Sequence, residues 1–384
     1  MRRILVLTST ILVVLSTAAA TSSAVLPSAL APVLVAGPVA PITVGGPVTP
    51  ITVAGPVAPI TFAGPVAPIM LAGPVTSIKG TTSWAGPQIR TVTAAAILGS
   101  DPVTFRPSDP LTRGELAEAL TTWGKRAVTP ADPTHRVTMR ELDAQLVFAL
   151  GLQPAAQRIR IAARDAGLAP TSMLGTETIA RLLGLRLNHP QGSDDLELLP
   201  SQPATRAEAA YSFARALQLT PGQIAYVDQL SQTFTLPALD DWQRSVLERG
   251  LRFVGFPYVW AGTSEQSGFD CSGLIWRVFN LQAYPDAPGL AAAIKGRSAA
   301  QMAAEALPAQ RIALAALQPA DVVFFGAKGP SSKPAQIDHV GIYLGNGWFV
   351  NAGSTGVALA PLSGWYANRF AWGRRALEVI IPSP

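Results

Sequence analysis

The chain has 384 residues, a formal net charge of +5, 34 prolines, 33 glycines and a single cysteine. That length suits two or three domains; one cysteine excludes an internal disulfide framework, and three scattered histidines imply neither a metal site nor a cofactor. Basic residues are unclustered and no aromatic stacking platform accompanies them, which argues against a nucleic-acid binder and leaves anionic wall polymers and lipids among the polyanions a basic surface attracts.

Arg2 and Arg3 precede an apolar run from Ile4 to Leu15, followed by small residues from Ala18 to Ala24. This order is that of a secretory signal peptide, and the run is short of the roughly 20 residues a membrane span needs. Residues 1–24 are therefore expected to direct export, with cleavage after Ala20 or Ala24 and no stable membrane span afterwards; an uncleaved anchor is the alternative. From Ala36 a nine-residue unit, AGPVAPITV with variations, brings Gly-Pro-Val back at Gly37, Gly46, Gly55, Gly64 and Gly73. Two prolines per unit exclude a continuous helix or an internal strand. Residues 25–85 are expected to be an extended, polyproline-like tether, or a self-associating segment, since Val, Ile and Thr fill the remaining positions.

Residues 86–220 turn globular and helical, with patterns over Arg113–Trp123, Arg140–Leu150 and Arg206–Leu217. Thr112…Glu115, Thr138…Glu141 and Thr205…Glu208 each place Thr three residues before Glu, a capping box in which the hydroxyl and the carboxylate each take one free backbone N–H. Residues 221–238, with Pro221 and Pro237, read as a polar linker. A helical pattern from Leu239 to Phe253 then opens the last region, residues 239–384.

Two segments there carry chemistry. In Pro257–Phe279, Tyr258-Val259-Trp260 reads as a strand end, Gly262–Gly268 as a loop, and Asp270 as the cap of a helix that starts at Cys271. A helix start lowers a thiol pKa, and its free N–H groups can hold an oxyanion; a buried, inert cysteine is the alternative. In Asp338–Ala352, strands His339–Leu344 and Trp348–Ala352 flank Gly345-Asn346-Gly347. A two-residue turn would put Asn351 on the face opposite His339. A three-residue loop with Gly347 left-handed pairs Gly341 with Asn351 and sets His339 and Asn351 diagonally on one face; that form is expected. Asn351 would then orient the imidazole, whose other nitrogen faces the thiol. Ala320–Gly326 reads as a buried strand.

PYVWAG at 257–262, GFDCSGL at 268–274, ADVVFFG at 320–326 and HVGIYLGNG at 339–347 together resemble the NlpC/P60 domain. The resemblance implies an α+β, papain-like fold, with a Cys-bearing helix packed on a small antiparallel sheet. It also implies hydrolysis of amide bonds in peptidoglycan stem peptides, commonly between D-glutamate and a diamino acid. Cys271 matches the family's nucleophile and His339 its base, and Asn351 stands where a third polar residue, often His, occurs. Tyr258, Asp270 and Ser272 match cleft-lining positions, and Arg297, Ser298 and Gln301 resemble a further cleft segment. Ala261 replaces the first Gly of the family's Trp-Gly-Gly run, and an Ala-rich stretch near 290–306 and a loop at 329–334 lengthen the span between Cys271 and His339.

Phe105-Arg106-Pro107 with Leu111-Thr112-Arg113, and Leu199-Pro200 with Thr205-Arg206-Ala207-Glu208, resemble the S-layer homology module. That resemblance implies binding of an anionic cell-wall polymer, with Arg113 and Arg206 as candidate contacts; a degenerate structural spacer is the alternative. The copy at Thr138, with Met139 and Arg140, departs from the pattern, and the three boxes are spaced 26 and then 67 residues apart. The expected protein is a secreted, wall-associated bacterial cysteine endopeptidase. Its rivals are an amidase or acyltransferase on the same fold and a non-catalytic wall binder.

Overall fold

The computed structural model describes residues 83–127, 129–186, 197–279 and 294–376, all within the compact unit Ile60–Pro384. The signal-like segment, residues 25–82 of the expected tether and His189 lie outside the described residues; residues 83–85, expected to end the tether, instead join the globular part, with Ala85 buried in its core. Among the described residues no helix is long and apolar enough to cross a membrane.

The first half is a helical bundle: α1 (Gly86–Ala94), α2 (Arg113–Thr122), α3 (Met139–Ala149), α4 (Gln153–Asp165), α5 (Leu174–Leu183), α6 (Arg206–Gln218) and α7 (Pro221–Thr233). Thr112 and Thr138 close full capping boxes on α2 and α3, and Thr205 accepts the Glu208 N–H at the start of α6. The three segments before these helices bond one another in a closed ring. Leu111 N donates to Ala204 O (2.7 Å), Val137 N to Leu111 O (2.9 Å) and Ala204 N to Val137 O (2.7 Å). The free N–H groups of each first turn also find carbonyls in a neighbouring segment: Arg113 N to His135 O, Met139 N to Gln202 O, and Arg206 N to Asp109 O. The copy at Thr138 is thus an equal member of a pseudo-threefold ring despite its divergent residues. What the ring requires is backbone geometry and a Thr cap, and the uneven spacing is absorbed by α4 and α5, inserted between the second and third copies.

Residues 221–238, expected as a linker, instead hold α7. Thr220 and Gln223 form a capping box with Pro221 at the first helical position. Arg158 of α4 reaches Ser231 (2.8 Å) and pairs with Asp228, which fastens α7 to the bundle. Past α7 the chain lies against the second half: the Phe234 ring meets Trp348 edge-on at 5.1 Å, and Asn346 Nδ2 donates to Thr235 Oγ1 at 3.0 Å.

The second half is α+β. It comprises α8 (Asp241–Leu251), β1 (Thr263–Ser264), β2 (Gly268–Phe269), α9 (Cys271–Phe279), α10 (Ala299–Ala304), β3 (Val322–Gly326), β4 (Ile337–Gly345), β5 (Trp348–Gly353), β6 (Gly356–Pro361), α11 (Gly364–Arg369) and β7 (Phe370–Arg374). The sheet order is β6-β5-β4-β3-β7, antiparallel throughout. Strand alternation splits the buried residues between its faces. Val322, Phe324, Val340, Ile342 and Val350 share a core with Leu274, Ile275 and Val278 of α9. Val323, Phe325, Tyr343, Phe349 and Phe370 form a second cluster capped by Tyr366 of α11.

Candidate functional site

Cys271 is the first residue of α9. Asp270 Oδ1 accepts the Gly273 N–H and the Ser272 hydroxyl (2.9 Å), the expected cap. Gly273 admits the preceding loop: a Cβ there would stand 1.9 Å from Gly262 O, so no other residue lets the loop cross the helix start so closely. Arg297 closes the far side, with Nη2 3.1 Å from Asp270 Oδ2 and Nη1 2.9 Å from Ser272 Oγ. Asp270, Ser272 and Arg297 therefore form one polar cluster beside the cysteine. Ser298, exposed, caps α10 by accepting the Gln301 N–H, while Gln301 Oε1 receives the N–H groups of Arg297 and Ser298. These two residues hold Arg297 in place.

The hairpin has the expected register, Gly341 opposite Asn351, reached by a different turn. Asn346 and Gly347 both have positive φ (47° and 78°), the signature of a two-residue type I′ turn, and Gly345 pairs with Trp348. A bulge between Tyr343 and Gly345 (φ 107°) then shifts the register back by one. His339 and Asn351 consequently share a face, and His339 Nε2 lies 3.0 Å from Asn351 Oδ1. An amide oxygen only accepts, so Nε2 carries the proton and Nδ1 keeps its lone pair. The room left by Gly341 is filled by the Phe349 ring.

Tyr366 was not legible beforehand. Its hydroxyl donates to Asn351 Oδ1 (3.3 Å), and its ring stacks on His339 with centroids 5.9 Å apart. Phe325 packs on the same imidazole at 5.7 Å. Beside the histidine, Arg369 pairs with Asp338 at 2.5 Å.

Burial dominates the electrostatics. It pushes the Cys271 thiol up to about 12, helped by the Asp270 carboxylate and opposed by the N–H groups of Ser272, Val340 and Cys271 itself. The helix start was expected to lower this pKa; its N–H groups do act in that direction, but desolvation outweighs them. Burial also holds His339 down to about 4, against the Asn351 hydrogen bond and the Asp338 charge. Both groups are neutral at neutral pH. Half-buried Tyr258 has its phenol raised by burial and then by the Cys271 and Asp270 charges. Ala261, at φ 60°, takes the left-handed conformation that a glycine adopts without strain.

In the helical region the two candidate arginines separate. Arg113 is partly exposed, bonds Glu141 (2.8 Å) and lines a cavity of about 260 Å³ with Leu116, Leu120, Val137 and Gln145. Arg206, a candidate polymer contact, is instead 8% exposed, with its guanidinium on Phe105 O (2.9 Å), Leu98 O (2.6 Å) and Glu115 (2.6 Å). Its donors are committed to joining the start of α6 to the first copy. The side chain of His135 is 52% exposed.

Residues 255–376 match the model of the NlpC/P60 family, and residues 78–117 match that of the S-layer homology domain. The matched segments identify an NlpC/P60 domain preceded by S-layer homology sequence. The bifunctional muramidase/DL-endopeptidase CwlT of Bacillus subtilis (strain 168) is 32% identical over 136 residues, 35% of this chain and 37% of the relative. The probable peptidoglycan endopeptidase LytE of the same strain is 36% identical over 115 residues, 29% of this chain and 28% of the relative. The chain thus spans well under half the length of these relatives. Among solved structures, an NlpC/P60 family protein from Bacillus cereus ATCC 10987 is similar at 24% identity, covering 38% of this chain and 43% of that one, with a TM-score of 0.29.

Proposed function

We propose that this chain is an exported cell-wall hydrolase, a cysteine endopeptidase that cleaves amide bonds in the peptide stems of peptidoglycan. The observation that carries the reading is the His339–Asn351 pair at 3.0 Å, on the strand packed against a helix whose first residue is Cys271. Endopeptidase activity in the names of the relatives supports the reaction class, and D-glutamate to diamino acid is the bond we assign. His339 Nδ1 takes the thiol proton as sulfur attacks the amide carbonyl. N–H groups at the start of α9, with the Tyr258 hydroxyl, receive the oxyanion. His339 then protonates the leaving amine, the C–N bond breaks, and water attacks the thioester with His339 again as base, releasing the acid and restoring the thiol. The Asp270–Ser272–Arg297 cluster is assigned to the cleft wall.

Retention at the wall is assigned to the helical region, with Arg113 beside the cavity as its anion contact. Digestion of purified peptidoglycan by the full chain, with Cys271→Ala as control and fragments read by mass, tests the assignment. Stem fragments ending in D-glutamate, absent with the variant, are expected. Intact stems, from folded protein and across several stem types, would refute it. Co-sedimentation of Cys271→Ala with walls before and after removal of anionic polymer tests the second role.

A further inference from the structure

Helix α5 carries a residue that belongs to no motif. Arg181 has no exposed side-chain surface, and its Nη1 lies 2.9 Å from Glu197 Oε1. A buried guanidinium is costly unless its charge and most of its donors are matched, and here both Nη groups find partners while the buried Nε finds none among the described residues. Glu197 supplies the charge from within the helical region. The two carbonyl acceptors come from across the boundary: Nη1 donates to Thr355 O and Nη2 to Gly255 O.

Those carbonyls belong to two segments that reach different parts of the Cys–His–Asn site. Thr355 sits in the turn between β5 and β6. At Gly353, where that turn begins, a Cβ would stand 3.3 Å from Asn351 Oδ1 and 4.0 Å from His339 Cε1, so the turn abuts the His–Asn pair. Gly255 begins the segment that leads to Tyr258. Within it Pro257 O accepts the Phe269 N–H at 3.0 Å, one residue before the Asp270 cap of the cysteine helix. The two segments are laced together by Gly255 N to Val357 O (2.9 Å) and Val357 N to Phe256 O (2.8 Å). The slot is shaped for the guanidinium. Gly356 has φ 80°, and a Cβ there would stand 2.4 Å from Arg181 Nη1 and 2.5 Å from Phe256 O.

We propose that Arg181 is a positioning residue for the site: by bridging Thr355 O and Gly255 O it fixes the spacing between the His339–Asn351 side and the Tyr258–Cys271 side, which makes the helical region part of the catalytic unit as well as an anchor. The functional consequence rests on the peptidase reading; the geometric one does not.

The test uses the full chain as wild type, Arg181→Lys and Gly356→Ala. Lysine keeps a charge for Glu197 but, as a point donor, cannot span both carbonyls. Alanine at 356 keeps the arginine but crowds both its Nη1 and the Phe256 carbonyl, so it distorts the slot with the arginine still present. Three quantities are read well below the lowest melting temperature: thermal stability, the rate of Cys271 alkylation by iodoacetamide against pH, and kcat with KM for stem-peptide release. A loss of roughly tenfold or more in kcat with little change in KM is expected for both variants, as for a displaced catalytic group, together with an altered alkylation profile. Variants that melt earlier but keep kcat and the alkylation profile within about twofold of wild type would reduce Arg181 to a purely structural residue. If wild type releases no fragments, the peptidase reading fails by itself, and the alkylation profiles still decide the positioning.

Discussion

Replacing Asn351 by alanine separates the chemistry of the site from its folding. Asn351 is 3% exposed; its Oδ1 accepts from His339 Nε2 at 3.0 Å and from the Tyr366 hydroxyl at 3.3 Å, and its Nδ2 reaches Ala358 O at 3.5 Å. Alanine leaves a buried tyrosine hydroxyl without that acceptor, at a cost of about 1–3 kcal/mol in unfolding free energy. The larger effect falls on turnover. Once His339 holds the proton of Cys271, Nε2–H becomes a charged donor, and a hydrogen bond of that kind contributes about 1.5–3 kcal/mol. Its loss lowers kcat by roughly 10- to 150-fold, with KM nearly unchanged, since neutral His339 in the resting site loses only the weaker bond. Asn351→Asp is the opposite perturbation: a carboxylate favours the imidazolium, so the acid limb of kcat/KM, expected near the His339 value of about 4, moves upward in pH. Steady-state kinetics on a defined stem peptide, with urea unfolding to establish folding, measures both variants. A folded Asn351→Ala protein with kcat within about twofold of wild type would refute the orienting role.

Three further outcomes follow from how deeply each charge is buried. Burial and the Asp143 carboxylate raise Glu177 to about 8 from its ordinary 4.5, so between those values the folded state binds more protons than the unfolded one and stability falls as pH rises. The Glu177 contribution amounts to up to about 2 kcal/mol between pH 6.5 and 8, to be read by urea unfolding, and Glu177→Gln should flatten it. Arg206→Ala should cost about 2–4 kcal/mol, because it strands two carbonyls and the partly buried Glu115. Arg113→Ala should cost under about 1 kcal/mol, its pair with Glu141 being substantially exposed, yet weaken co-sedimentation with walls that retain their anionic polymer.

What the sequence disclosed was what short-range chemistry writes down. Thr-x-x-Glu signatures located α2, α3 and α6, and Asp270 located the cysteine helix, because a cap is a contact between residues three apart. The hairpin register was legible for a related reason: only one register puts His339 and Asn351 on one face. The turn that achieves it was misjudged, since a bulge and a three-residue loop displace the register equally. The helix at Pro221–Thr233 carried a readable Thr220…Gln223 box, obscured by the proline reading of 221–238. Contacts between distant segments left no local signature. Tyr366 meets Asn351 through the fold, Arg206 is consumed by Leu98 and Phe105 more than a hundred residues away, and Arg181 crosses from the helical bundle to the β5–β6 turn. Composition marks an arginine as surface-seeking; only the folded partners show which ones are buried.

The sign of the Cys271 shift links these observations. A helix start alone would favour a standing thiolate, the form that attacks amides and the form that oxidants consume. Burial and the Asp270 carboxylate instead hold the sulfur as a thiol, against the Val340 N–H of the strand that carries His339, a histidine kept neutral by its own burial against Phe325 and Tyr366. On the proposed mechanism, the charge separation that begins catalysis is unfavourable at rest and must be supported when the substrate carbonyl arrives, by the N–H groups at the start of α9 for the developing oxyanion and by Asn351 for the imidazolium. Reactivity then depends on how closely the two sides of the cleft are held, which is the spacing that Arg181 spans from the helical region.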